Sequence, residues 1–288
     1  MDKLFRIGEF CFRVISELPY AAPDHFRQFA IETGRPEYTY HIQEAQALPG
    51  LEGKRIARRP DMEVIREGTK ESRLIGIKGT LGYYACYREI SSGKADIWVT
   101  KLVQELMPSD TVYGSLFALD RRMIERGGLI LHCAYIEYHG KGILFSAPSG
   151  VGKSTQAALW EKYRNSVTVN GDRALLRKKE GKWLACAWPV CGSSQICKRV
   201  DVPVHAIVML RQGKKNSVMR LSPIEAFRQL YPQVTVNQWN PEFVQAAING
   251  IEDLILQVPV WQLTCDISEE AVQCLENALF SDDTSKAR

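Results

Sequence analysis

The sequence predicts an α/β protein of the α+β kind, in which a mixed, substantially antiparallel sheet carries a phosphate-binding loop and a β-rich region precedes it. Three observations predict this. Short alternating segments separated by Gly, Pro and charged turns fill residues 1 to about 108. Beyond them, strand-like and helix-like patterns interleave. A Gly-rich turn at 147–155 stands directly between an apolar strand and a helix-forming run.

Composition bounds the function classes. The chain has 288 residues, 45% of them hydrophobic, which suffices for a full core and argues against disorder. Its 37 Lys and Arg against 33 Asp and Glu leave a net charge of +4, far from the basic balance of a duplex-binding protein, so no nucleic-acid partner is expected. The eight cysteines include no C-x-x-C pair and no zinc-like His spacing, and read as reduced thiols. Charges interrupt MDKLFRIGEF too often for a signal peptide, and no apolar run approaches the ~20 residues of a spanning helix. A cytoplasmic protein without a membrane partner is the expectation.

In the first region, 1–108, residues 73–77, 83–87 and 96–99 read as strands. The basic cluster Lys54, Arg55, Arg58 and Arg59 reads as a solvated loop and receives no function. A second domain, 109–288, opens with Ser109-Asp110 and apolar residues at Val112, Leu116, Leu119 and Met123, ending at Gly127-Gly128, the pattern of one capped amphipathic helix. Strands follow at 129–136 and 142–145, joined by His139-Gly140-Lys141, whose glycine suits a tight antiparallel hairpin. That hairpin disfavours a simple Rossmann arrangement. Further strands are expected at 166–169, 174–177, 183–187 and 206–210, and helices at 223–231, 241–256 and 269–280, the last capped by Ser268 with Glu269 and Glu270 in its first turn.

The hairpin runs into Ala147-Pro148-Ser149-Gly150-Val151-Gly152-Lys153-Ser154-Thr155, which fits G-x-x-x-x-G-K-[ST] except for Ala147 at the first glycine. Alanine there implies an unstrained backbone or a somewhat altered loop. Gly150 and Gly152 let the chain approach phosphates, so that the amides of Ser149 to Thr155 can point inward at a helix start. Lys153 brings a cation to the β- and γ-phosphates, and the Ser154 hydroxyl is placed for Mg²⁺. ATP with Mg²⁺ is the expected cofactor pair.

The surroundings resemble the catalytic domain of the HPr kinase/phosphorylase family, a P-loop group whose fold is shared with phosphoenolpyruvate carboxykinase. Leu131-His132-Cys133, Glu137 and Tyr138-His139-Gly140 precede the loop in that family's order and spacing, and the strand ending Val169-Asn170-Gly171-Asp172-Arg173 follows it. Asp172 matches the second of the family's paired aspartates, while Gly171 stands at the first. The resemblance covers roughly residues 128 to 200. It implies an HPr-kinase-like P-loop domain, with Lys153, Asp172 and His132 as catalytic residues and Ser154 and Asp172 at the metal. From the residues alone, the favoured reading of His132 is a core histidine bonded to backbone, and Asp172 has a lesser alternative as a turn or capping residue. The stretch 188–194 either lines an acceptor pocket or packs as a Trp-Pro turn. Arg173, Arg199 and Arg211 are candidates for stabilising transferred charge.

The resulting expectation is an ATP-dependent kinase acting on a hydroxyl, such as a serine of a peptide, protein or free amino acid. The alternative is a nucleotide-binding regulatory protein in which Gly171 has removed catalysis, and carboxykinase-like chemistry ranks third. Homo-oligomerisation is left open.

Overall fold

The structure is a computed structural model that describes residues 1–18, 21–79 and 82–281, without the side chains of 102–104. The chain divides into two compact units, Met1–Arg122 and Met123–Arg288.

The first unit begins with β1 (Asp2–Ile7), β2 (Phe10–Ser16), the single turn α1 (Asp24–Arg27), β3 (Ala30–Ile31) and β4 (Tyr38–Ala45). It continues with β5 (Lys54–Arg59), β6 (Met62–Glu67), β7 (Lys70–Gly76), β8 (Tyr83–Ser91) and β9 (Lys94–Thr100), then α2 (Asp110–Ser115) and most of α3 (Leu119–Ile124). Its nine strands lie in the order β3-β1-β2-β4-β9-β8-β7-β6-β5. The β2–β4 and β4–β9 pairs are parallel. Period-two alternation drives this sheet: Ala95, Ile97 and Val99 of β9 are fully buried on one face. Phe5, Phe12, Phe26, Tyr40, Tyr113 and Phe117 form a contiguous aromatic core.

Two expectations change here. The single helix expected from Ser109 is two short ones, because Ala118 takes a left-handed φ of 47° and breaks the helical run, and the Ser109 side chain makes no capping bond. Tyr113 and Phe117 of this segment belong to the aromatic core of the first unit, so the division between units falls within α3, beyond the composition change at residue 108. The basic cluster is also not a loop. It forms β5, the edge strand, with Arg55 and Arg58 both paired to Glu63 of β6. A charged edge strand resists pairing with other chains, and that is where such a cluster is tolerated in a sheet.

Glu71 of β7 is fully buried, yet its carboxylate meets Arg73 Nε at 2.7 Å and Arg121 Nη1 at 3.2 Å. Arg73 also donates to Asp120 at 2.8 Å, and Glu89 of β8 accepts from the Glu71 amide. The ion pairs satisfy charges that burial alone would make very costly, and they fasten α3 to its sheet.

The second unit continues with β10 (Leu129–Tyr138), β11 (Lys141–Ser146), α4 (Lys153–Arg164), β12 (Val167–Asn170), β13 (Arg173–Lys179), β14 (Lys182–Cys186) and β15 (Val202–Gln212). It ends with β16 (Ser217–Arg220), α5 (Pro223–Leu230), α6 (Pro241–Gln257), β17 (Val260–Cys265) and α7 (Glu269–Phe280). The pairing follows β11-β10-β13-β14-β15-β17-β16, with β12 beside β10, and a β11–β15 pairing closes the path on itself. Only β11–β15 and β15–β17 are parallel among these described pairs. The sheet is thus mixed and substantially antiparallel, as the hairpin predicts. His139 and Gly140 both have positive φ, the two-residue turn that matches strand twist.

Alternate residues of the central strands supply two cores. Ala134, Ile136, Phe145 and Val208 pack with Trp160 of α4 and Val272 and Leu275 of α7. Cys133, Tyr135, Leu144 and Met209 face the other way, against Leu230 of α5 and Phe243, Ala247 and Ile251 of α6. Helices therefore cover both faces. Ser222, Asn240 and Ser268 cap α5, α6 and α7 with side-chain oxygens, Ser222 in a reciprocal capping box with Glu225. β17, between β15 and β16, has no counterpart in the sequence reading. Among the described residues, no helix is long and apolar enough to cross a membrane.

Candidate functional site

The loop leaves β11 at Ser146 and enters α4 at Lys153. Gly150 and Gly152 have φ of 82° and 120°, conformations that side-chain-bearing residues rarely adopt, and a Cβ on either would meet nothing within 4 Å. Conformation, and not crowding, requires glycine here, and the space above the loop is open. Ala147 has no positive φ and lies buried in the core, so the first position of this loop needs no glycine. Lys153 opens α4 and folds back over the turn, donating to the Ala147 carbonyl at 3.0 Å and the Pro148 carbonyl at 3.3 Å. Burial holds its ammonium below the usual lysine range, against the raising influence of Asp172. Ser154 is exposed on the first helical turn, and Thr155 is half-buried.

His132 and Asp172 come together beside this loop. The Nε2 of His132 stands 3.5 Å from Asp172 Oδ1, and its Nδ1 lies 3.4 Å from Gln233 Oε1. The histidine is therefore held by side chains and not, as a core histidine would be, by backbone. Burial lowers its pKa, the positive charges of Lys153 and Arg173 lower it further, and Asp172 opposes them. A neutral imidazole at neutral pH results. Cys133 pairs with Ser146 across the hairpin, which fixes His132 beside the root of the loop. The Ser146 hydroxyl donates to the His132 carbonyl at 2.8 Å.

Asp172 is positioned from the other side. Asn170, fully buried at the end of β12, accepts from the amides of Asp172 and Arg173 at 2.9 Å and donates to the carbonyls of Trp188 and Val190. The Asp172 carbonyl accepts from the Cys133 amide at 3.0 Å. Arg173 bridges Asp172 Oδ2 at 3.1 Å and Thr235 Oγ1 at 3.1 Å, so Arg173 is the arginine that the fold sets at this carboxylate. A Cβ on Gly171 would lie 2.3 Å from the Cβ of Ser194, and one on Gly192 would lie 3.2 Å from the Asp172 carboxyl carbon. The turn at 170–173 and the short 3₁₀ turn Gly192–Ser194 thus interlock through two glycines. No carboxylate fits at position 171 while Ser194 stands over it. Trp188 is buried beneath this loop, and Glu137, within the family-like segment, caps the hairpin turn by accepting from the Gly140 amide at 2.6 Å.

The sequence offered Ser194 only as part of the stretch 188–194, and gave no role to Asn170, Gln233 or Thr235. Asn170 was legible, since Asn-Gly marks a turn in which the asparagine side chain bonds backbone two residues on. Gln233 and Thr235 carry no local signal: they reach the site because Leu131 and Val234 form an isolated bridge and the Thr235 amide donates to Ile130. All eight cysteines are thiols, and among the described residues no three His, Cys, Asp or Glu side chains gather as a metal-binding group.

The fold and loop define a mixed α/β protein in which a glycine loop joins a strand to a helix. The family model described as SynChlorMet cassette protein ScmC matches residues 104–280, and the chain belongs to that family. Among solved structures, the HPr(Ser) kinase/phosphatase from Coxiella burnetii is similar at a distance, with 13% identity over 55% of this chain and 96% of that one and a TM-score of 0.32. No curated protein matches the chain in sequence.

Proposed function

We propose that the chain is a kinase that binds ATP at the 147–155 loop and transfers its γ-phosphoryl group to a hydroxyl of a peptide, protein or small molecule. The observation that carries this reading is the convergence of Lys153, His132 and Asp172 around a left-handed glycine loop at the head of α4. Backbone amides and the Lys153 ammonium bind and orient the phosphates, for which Lys153 exchanges its hold on the Ala147 and Pro148 carbonyls. A hydroxyl oxygen attacks the γ-phosphorus, the bond to the β-γ bridging oxygen breaks, and ADP leaves with those electrons. The hydroxyl proton passes to the neutral imidazole of His132 or to Asp172, each within reach of the other. Arg173 balances the charge of Asp172 and holds it against Thr235.

Mg²⁺ fits this donor set. It keeps several waters and phosphate oxygens and asks only one or two protein oxygens, here the Ser154 hydroxyl and the Asp172 carboxylate. When bound, it supplies neutralisation of phosphate charge.

The test is transfer of labelled γ-phosphate from Mg·ATP to pools of peptides and hydroxy metabolites. A labelled product is expected that falls by about 10²-fold or more in Lys153→Ala. Absence of transfer and of hydrolysis across broad pools would sink the reading. One observation favours a second reading, nucleotide-dependent partner binding without catalysis: a single carboxylate stands at the turn where Ser194 leaves no room for another. Tight ATP binding by calorimetry without turnover would select it.

A further inference from the structure

A groove of about 440 Å³ runs between α5 and the last turns of α6. Its floor is shared with the core, since Phe227 and Ile255 are partly buried against the cluster that holds Leu230 and Leu254. Its rim is apolar and open to solvent: Ile224 is 66% exposed and Leu256 78%. The walls are held in place. Ser222 and Glu225 cap α5 reciprocally, Phe227 stacks on Tyr231 with ring centroids 5.7 Å apart, and Gln229 donates to Gln262 of β17 at 3.3 Å. Asp253 fastens α6 to the sheet by accepting from Lys178 Nζ at 2.7 Å and from Trp183 Nε1 at 2.8 Å. A partner therefore meets a surface already formed, with little ordering left to do.

The lining carries one charge of each sign. Arg228 stands one turn beyond Ile224 on α5, and Glu252 one turn before Leu256 on α6, so each helix presents an apolar knob and a charge at i,i+4 spacing. Both charged residues are exposed. Arg228 attracts Glu225 within its own helix, and among the described residues neither Arg228 nor Glu252 is in an ion pair. A strongly acidic or strongly basic partner would meet a like charge on one wall of the groove. A surface with Arg on one wall and Glu on the other is instead complementary to itself. A two-fold axis along the groove lays α5 of one copy over α6 of the other, so that Arg228 faces the second copy's Glu252 on both sides of the axis. Ile224 and Leu256 then leave water together.

We infer that the chain forms a two-fold dimer through the α5–α6 groove, closed by reciprocal Arg228–Glu252 pairs around Ile224 and Leu256. The dimer stands whether or not the phosphate loop takes a nucleotide. The facing turns of two helices offer less than the ~800 Å² per partner of a tight complex, so association is expected at micromolar concentrations or above.

Sedimentation equilibrium of the full chain from about 1 μM to about 0.5 mM tests it, with Leu256→Asp, Arg228→Glu and Glu252→Arg, each checked by its melting temperature. All three side chains are exposed, so their replacement leaves the core intact. The unmodified chain is expected to pass from monomer to dimer across this range, and Leu256→Asp to stay monomeric. Each charge reversal alone should weaken the dimer by at least about tenfold, since like charges then face each other twice. Mixing the Arg228→Glu chain with the Glu252→Arg chain should restore a heterodimer to within about threefold of the original affinity, because both facing pairs are again opposite in sign. A monomer throughout the range overturns the proposal. So does a dimer that the three variants leave intact, which would place the contact elsewhere on the chain. Reversals that weaken the dimer without recovery in the mixture would show that Arg228 does not face Glu252, and the two-fold arrangement would fall.

Discussion

At the scale of single residues, His132 and Gly171 make the sharpest claims. The folded pKa of His132 lies below the ordinary histidine value near 6.5, chiefly through burial, so the folded chain binds fewer protons than the unfolded chain near that pH. Stability therefore falls as pH is lowered from 6.5 through the folded pKa, and His132→Gln should flatten that part of the curve. Denaturant midpoints measured between pH 5 and 8 on both proteins check this; identical slopes would refute it. Gly171 has no positive φ, so alanine there meets no backbone strain and the cost is contact alone. Gly171→Ala should lose about 1–3 kcal/mol, and adding Ser194→Gly should recover most of it, a coupling that a double-mutant cycle measures directly.

At the scale of elements, local chemistry foretold most of the second unit. The hairpin turn, the strands leading to and from the loop, and helices α5, α6 and α7 follow from periodicity and, for α7, from the cap at Ser268, all short-range signals. The segment after Ser109 escaped it because apolar spacing alone does not reveal a left-handed residue such as Ala118. β5 escaped it because charge marks exposure, which loops and edge strands share. In the first unit the element that matters is the tie between β7, β8 and α3. Arg73→Ala leaves Glu71 buried and half-partnered and should cost about 3–5 kcal/mol in urea unfolding. A loss near zero would mean that the other arginines carry the pair.

At the scale of the molecule, each unit closes its own core, and the candidate site lies wholly within residues 123–288. Saturating Mg·ATP should accordingly slow amide hydrogen exchange at 147–155 and 170–173, since ligand that binds only the folded state stabilises by mass action. The strands β1 to β9 should exchange at unchanged rates. Protection confined to the first unit would contradict the location of the site.

By itself the sequence determined that strand, glycine loop and lysine-headed helix follow one another, and that a hairpin makes the sheet antiparallel at that point. These are matters of backbone conformation over a few residues, and residue type settles them. Only the tertiary structure decided that His132 meets Gln233 across 101 positions, that Ser194 closes the space above Gly171, and that β17 lies parallel to β15. Such meetings depend on the order in which strands pair, which is set by the closing of both cores at once and leaves no local trace in the residues it brings together.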